Sequence, residues 1–141
     1  MKIDKTFHGQ VVIGGNTQGV ALVSSEPLSF WGGYDWKTGE IIDRRHPLSG
    51  SIAAGRILVV PFTRGSSTTT AVLLEAIRAG TAPAAILTTE ADFFFALASV
   101  VADELYAKPL PLVALAAADF ASLRTGDQVT IADDGLVTVY Q

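Results

Sequence analysis

Gly65, Ser66 and Ser67 stand where an apolar run, Val59-Val60-Pro61-Phe62, gives way through Thr63 and Arg64 to an amphipathic stretch from Thr68 to Arg78. If the first run is a strand and the second a helix, both serines lie beside backbone N–H groups that lack partners within the helix. The helix dipole adds partial positive charge at the same place. A carboxylate would be held there. A helix cap formed by Ser67 or Thr68 accounts for the same residues without any chemistry, and at this point both alternatives stand.

The other polar candidates are fewer. His46 precedes Pro47 and follows Asp43, Arg44 and Arg45 in a segment that reads as loop. It is a candidate contact for substrate or for a partner, or else part of a solvated turn. The arginine pair reads as an interface or a solvated face, and His8 as a structural residue of the first strand. Two distant histidines with no other soft ligand nearby are a poor basis for a transition-metal site.

The elements that must position these groups change texture along the chain. Up to about residue 55 the pattern is β: Val11-Val12-Ile13 and Val20-Ala21-Leu22-Val23 flank a Gly- and Asn-rich turn and read as a hairpin. Leu28-Ser29-Phe30-Trp31 reads as a further β-type run ending at Gly32-Gly33, before a turn over Asp35 to Gly39. From Arg56 on, Ile57-Leu58-Val59-Val60, Ala84-Ala85-Ile86-Leu87 and Leu112-Val113-Ala114-Leu115 are continuous apolar runs of the kind buried on both faces. They alternate with helical spacing. Thr70, Leu73, Leu74 and Ile77 form one apolar stripe that Gly80 ends, and Asp92 to Tyr106 offers Phe93, Leu97, Val100, Val101 and Leu105 as core positions. Phe93, Phe94 and Phe95 cannot all face inward, because consecutive helical residues lie about 100° apart. A short helix over Asp119 to Leu123 and a closing hairpin, Gln128–Ile131 with Leu136–Tyr140, complete the chain. Strand–helix–strand–helix–strand implies right-handed parallel crossovers, and the flanking hairpins add an antiparallel layer. The expected fold is α/β, a single domain over residues 1–141 in three layers, β/β/α.

Composition excludes several classes of function. The net charge is −4, and the ten Lys and Arg form no basic run with interleaved aromatics, so nucleic acid is not expected as a partner. Cysteine is absent, which removes disulfides, a thiolate nucleophile and any cysteine-ligated iron–sulfur cluster held by this chain alone. Lys2, Asp4, Lys5 and His8 interrupt the first residues, so neither a signal-peptide core nor a membrane span is expected there, and the protein is expected to be cytoplasmic.

Taken together, Ser29-Phe30-Trp31-Gly32-Gly33, Asp43 to His46-Pro47-Leu48-Ser49-Gly50, Ala54-Gly55-Arg56, Gly65-Ser66-Ser67 and Gly80-Thr81-Ala82-Pro83-Ala84-Ala85 resemble the small subunit of the aconitase X family. Each motif is weak alone, but their order and spacing over nearly the whole chain are specific. The resemblance implies an aconitase-like swivelling domain, half of a hydro-lyase. A larger partner subunit would contribute substrate-binding residues and an iron–sulfur or iron centre, and the swivelling subunit would close the site. Gly65-Ser66-Ser67 also resembles the Gly-Ser-Ser of aconitase, which implies that Ser66 is the base that removes a proton next to a carboxylate. Ser67, Arg64, Gly65 and His46 would then contact substrate. A serine hydroxyl is a weak base near neutral pH and needs cationic or N–H groups to stabilise its ionised form.

Aconitase continues with Arg-Glu-His where this chain has Thr68, Thr69 and Thr70, so one carboxylate clamp is missing and a tricarboxylate is a poor substrate. Two smaller substrates are associated with the family: cis-3-hydroxy-L-proline in bacterial members and 5-phosphomevalonate in archaeal ones. The Ser66-Ser67 pair and the residues after it look bacterial, which favours hydroxyproline. A function of another class, a non-catalytic swivelling carrier or binding module with a phosphorylated histidine, needs a His in a Gly/Thr-rich setting, which neither His8 nor His46 has.

Overall fold

The structure, a computed structural model, describes residues 2–64 and 68–141. At its centre lie three short parallel strands, β6 (Ile57–Val59), β7 (Ala85–Thr88) and β8 (Leu112–Ala114), buried along their whole length. Helices α1 (Thr68–Ala79) and α2 (Phe93–Tyr106) are the crossovers between them. The period-two alternation of a strand sends its side chains to two different cores. Leu58, Ile86 and Leu112 pack with Leu73, Ala76 and Ile77 of α1 and Phe95, Ala98 and Ala102 of α2. Ile57, Val59, Ala85, Leu87 and Val113 point the other way.

That second face meets an antiparallel layer. β3 (Thr17–Val23) pairs with β6 in parallel and with β9 (Gln128–Ile131) in antiparallel fashion. The hairpin partner of β9 is β10 (Leu136–Tyr140), which also pairs with β1 (Ile3–His8). Val129, Ile131, Val137 and Val139 close the inner core, with Phe120 of α3 (Ala117–Ser122) beneath them. The expected β/β/α layering is therefore observed.

Two expectations about these elements need correction. β2 (Gln10–Ile13) does not pair with β3; it pairs antiparallel with β8, and the eight strands run in the order β1-β10-β9-β3-β6-β7-β8-β2. A Gly-rich segment permits a tight hairpin but does not require one. Here the two edges of the sheet are consecutive in the chain, separated by Gly9 alone, so the sheet curls back on itself. Gly9 also touches the strand next to each edge: its N–H donates to the Gly135 carbonyl, just before β10, at 3.0 Å, and a Cβ on it would lie 2.2 Å from Val113 Cγ1 of β8.

The second correction concerns α2. Phe93, Leu97, Val100 and Leu105 are exposed, at 67%, 36%, 50% and 63%, while Phe95, Ala98, Ser99 and Ala102 are buried. Small residues let α2 lie close to α1 and the sheet, and Ser99 satisfies its hydroxyl by bonding both the N–H and the carbonyl of Leu110 at 2.7 Å. The helix is apolar on nearly every face, so choosing its largest side chains as the core selected the wrong stripe.

Residues 24–53 lie over the helix side of the sheet and hold only a small hairpin, β4 (Tyr34–Asp35) with β5 (Glu40–Ile41). The Leu28 to Trp31 run is not a strand. Leu28 makes one parallel bridge to Thr63, and the chain then turns, the N–H groups of Gly33 and Tyr34 both donating to the Phe30 carbonyl. A Cβ at Gly33 would sit 2.1 Å from the Ser29 carbonyl oxygen, so the turn closes only around glycine. Phe30 stacks on Tyr34 at 4.6 Å between centroids and meets Phe95 edge-on at 5.4 Å, which anchors this segment to α2.

Candidate active site

Open parallel sheets bind ligands at the carboxyl ends of their strands, and the chain beyond β6 is held there from both sides. The N–H of Ser24 donates to the Val59 carbonyl and that of Arg64 to Leu28, at 2.9 and 3.2 Å. From the other flank, Thr89 donates to the Pro61 carbonyl through its N–H, at 3.1 Å, and its hydroxyl. Asp92 completes the clamp. Its carboxylate is buried, accepts the Thr63 N–H at 2.7 Å on one oxygen, and accepts the N–H groups of Phe94 and Phe95 at 3.1 Å on the other. One side chain thus caps α2 and fixes the strand exit that leads to residue 65. Thr70 adds a second tie, donating its hydroxyl to the Phe94 carbonyl at 3.1 Å, so the first turns of α1 and α2 are locked together.

Beside that exit is a cavity of about 360 Å³ lined by Glu26, Pro27, Ser29, Asp43, Arg45, His46 and Arg64. Arg64 and His46, expected at the site from sequence, are brought together here, whereas Gly65, Ser66 and Ser67 lie outside the described residues. Arg45, Asp43 and Glu26 join them without having been expected as ligand contacts. Arg44 does not line the cavity.

His46 is buried, and both ring nitrogens face backbone. Nδ1 accepts the Leu48 N–H at 3.1 Å, which leaves the proton on Nε2, 3.3 Å from the Glu26 carbonyl oxygen. The ring ties the two walls of the cavity together. The Asp43 carboxylate uses one oxygen to accept the Arg45 N–H at 3.0 Å, and Ser29 donates its hydroxyl to the Trp31 carbonyl at 3.2 Å. Neither Arg45 nor Arg64 takes part in an ion pair among the described residues, where Glu75 with Arg78 is the pair observed. The cavity therefore offers guanidinium groups with open donors. A larger depression of about 540 Å³, lined by Asn16, Thr17, Gln18, Thr130 and Thr138 on the outer side of the antiparallel layer, contains no titratable side chain.

Two other buried polar groups do not line the cavity. Thr69 in the first turn of α1 is fully buried, and its hydroxyl has no hydrogen-bond partner among the described residues. Tyr34 donates its hydroxyl to the Thr81 carbonyl at 2.7 Å, and burial pushes its phenol above the ordinary range. No sequence signal separated Asp92 from ordinary surface carboxylates, because the N–H that it binds at the strand exit is 29 positions away along the chain.

An α/β domain with a charged half-pocket at the carboxyl end of its central strand is the class that fold and site define. Residues 6–139 match the aconitase X swivel domain, and the chain belongs to that family. It is 47% identical over 106 residues, 75% of its length, to the cis-3-hydroxy-L-proline dehydratase of Pseudomonas aeruginosa, of which it covers 18%. It is 42% identical over 119 residues to the phosphomevalonate dehydratase small subunit of Methanopyrus kandleri, covering 84% of each chain. Its fold superimposes with a TM-score of 0.87 on the crystal structure of Thermococcus kodakaraensis aconitase X in its holo-form, at 32% identity over 98% of this chain and 100% of that one. The chain spans about a fifth of the length of the hydroxyproline dehydratases that it matches.

The donor set of this chain does not fit an iron–sulfur or iron centre. Cysteine is absent, and among the described residues no three His, Asp or Glu side chains are grouped to hold a metal ion. Among those residues, too, no helix is long and apolar enough to cross a membrane.

Proposed function

We propose that this chain is the swivelling part of a hydro-lyase that dehydrates cis-3-hydroxy-L-proline to 1-pyrroline-2-carboxylate, working with a larger aconitase X subunit or domain. The observation that carries this reading is the 47% identity to a protein named for that activity, on a fold whose clamped strand exit places Arg64 in the cavity lining. Ser66 is the base: its alkoxide takes the proton from the carbon next to the carboxylate, the C3–O bond breaks to release hydroxide, that hydroxide and the proton taken by Ser66 leave together as water, and the resulting enamine tautomerises to the ring imine. Arg64, Gly65 and Ser67 hold the carboxylate, and His46 keeps the cavity walls in register. Exposed Trp31, Phe62 and Phe93 rim this end of the sheet and give the partner an apolar surface that excludes water from the base. An iron–sulfur or iron centre belongs to the partner.

A second reading, the small subunit of a phosphomevalonate dehydratase, is favoured by the 42% identity that extends over most of both chains. A phosphohistidine carrier is disfavoured, since both nitrogens of His46 are turned to backbone. The test is to reconstitute this chain with its larger partner, assay both substrates, and compare Ser66→Ala with wild type. Ser66→Ala should lower kcat by about 10²- to 10⁴-fold with an unchanged melting temperature. If the serines only cap α1, the variant instead loses about 1 kcal/mol of stability and keeps its turnover.

A further inference from the structure

The cavity has a charge pattern that selects among hydroxy acids. Its walls carry two guanidiniums, Arg45 and Arg64, and two carboxylates, Glu26 and Asp43, so its charges balance. His46 and Ser29 contribute little to recognition, because their polar atoms are spent on backbone. Asp43 is half-buried, and one of its oxygens is fixed by the Arg45 N–H, which leaves the other as an oriented acceptor; Glu26 is exposed and makes no such bond through its carboxylate. A ligand bearing a carboxylate and a phosphate would place an excess of negative charge against Asp43 and Glu26. A ligand with one carboxylate and one ammonium matches both signs.

We propose that Asp43 and Arg45 are specificity-determining residues that recognise the substrate as a zwitterion, Asp43 accepting hydrogen bonds from the ring ammonium and Arg45, beside Arg64, donating to the carboxylate. This rests on the hydroxyproline reading above and deepens it. An oriented carboxylate against an ammonium is a charge-assisted pair, and a protein hydrogen bond to a charged group contributes enough to separate ligands by about tenfold or more.

The experiment uses the complete enzyme, this chain with its larger partner, and two unreactive ligands: L-proline, and (S)-tetrahydrofuran-2-carboxylate, which has a ring oxygen in place of the ammonium. Binding is measured by titration calorimetry. Wild type should prefer L-proline by at least about tenfold. Asp43→Asn, whose amide oxygen can still accept the Arg45 N–H, should bring the two ligands close to parity by weakening L-proline alone. Arg45→Gln should weaken both by a similar factor and leave the preference intact. If Asp43→Asn retains the full preference while the enzyme still dehydrates cis-3-hydroxy-L-proline, the inference is overturned and the function stands. If wild type neither binds L-proline nor dehydrates the hydroxyproline, the function reading itself falls, and this inference with it.

Discussion

Asp92→Ala tests whether the strand exit is held as described. The substitution removes the N-cap of α2, worth about 1 kcal/mol. It also removes a hydrogen bond from the buried Thr63 N–H to a charged acceptor, worth about 1.5–3 kcal/mol, and leaves that N–H unpaired. Relief from burying a carboxylate offsets part of this, so the net loss should be about 3 kcal/mol. For 141 residues, an unfolding entropy of about 2.1 cal/mol/K per residue gives about 0.3 kcal/mol/K, and the melting temperature should fall by roughly 10 °C. Asp92→Ser, which restores the cap but cannot also reach Thr63, should recover only the smaller share. Scanning calorimetry gives the totals, and amide exchange separates the parts, since Asp92→Ser should protect Phe95 but not Thr63. A loss below about 1 kcal/mol for Asp92→Ala, or Thr63 exchange unchanged from wild type, would refute the reasoning.

Tyr34 gives the chain a signature at high pH. Its phenol is held protonated by burial, so the folded-state pKa lies above the unfolded one, and its contribution to stability is complete below about pH 10 and lost as pH rises toward the folded value. Tyr34→Phe should cost about 1 kcal/mol at neutral pH through the lost bond to Thr81, yet lose less stability than wild type between pH 10 and 11, as denaturant titrations at both pH values would reveal. Gly33→Ala should destabilise by more than about 2 kcal/mol, because its methyl meets the Ser29 carbonyl oxygen rather than a movable side chain; a melting temperature within about 2 °C of wild type would contradict the turn.

How much of this was legible in sequence depended on the range of the interaction. The three central strands and their crossovers could be read because each is a continuous apolar run with local punctuation, and α1 ends at Gly80 as expected, with φ +79°. The partner of β2 could not, since pairing to β8 spans a hundred residues and leaves no local mark. The buried face of α2 was misjudged because Ala98, Ser99 and Ala102 are selected by how closely two helices approach, a tertiary quantity. Within the candidate site, His46 was found inside a motif and Arg64 immediately before one. Asp43 stood in the same motif as His46 and Arg45 read as part of an interface or a solvated face, but nothing local marked either as a ligand contact, and the role of Asp92 depends on a backbone N–H from another element.

The pairing of the first strand with the last has a consequence for how such a domain can be carried. Ile3 lies opposite Tyr140, and the Gln141 N–H donates to the Lys2 carbonyl at 2.9 Å, so the two ends of the described chain leave from one point. A tether attached at either end would start from the same place on the surface. The domain can then be joined to a larger protein by its front, by its back, or by non-covalent contact alone, without reorganising its sheet. The relatives that it matches include both arrangements, one in which the equivalent region is about a fifth of a longer chain and one in which it is a separate subunit.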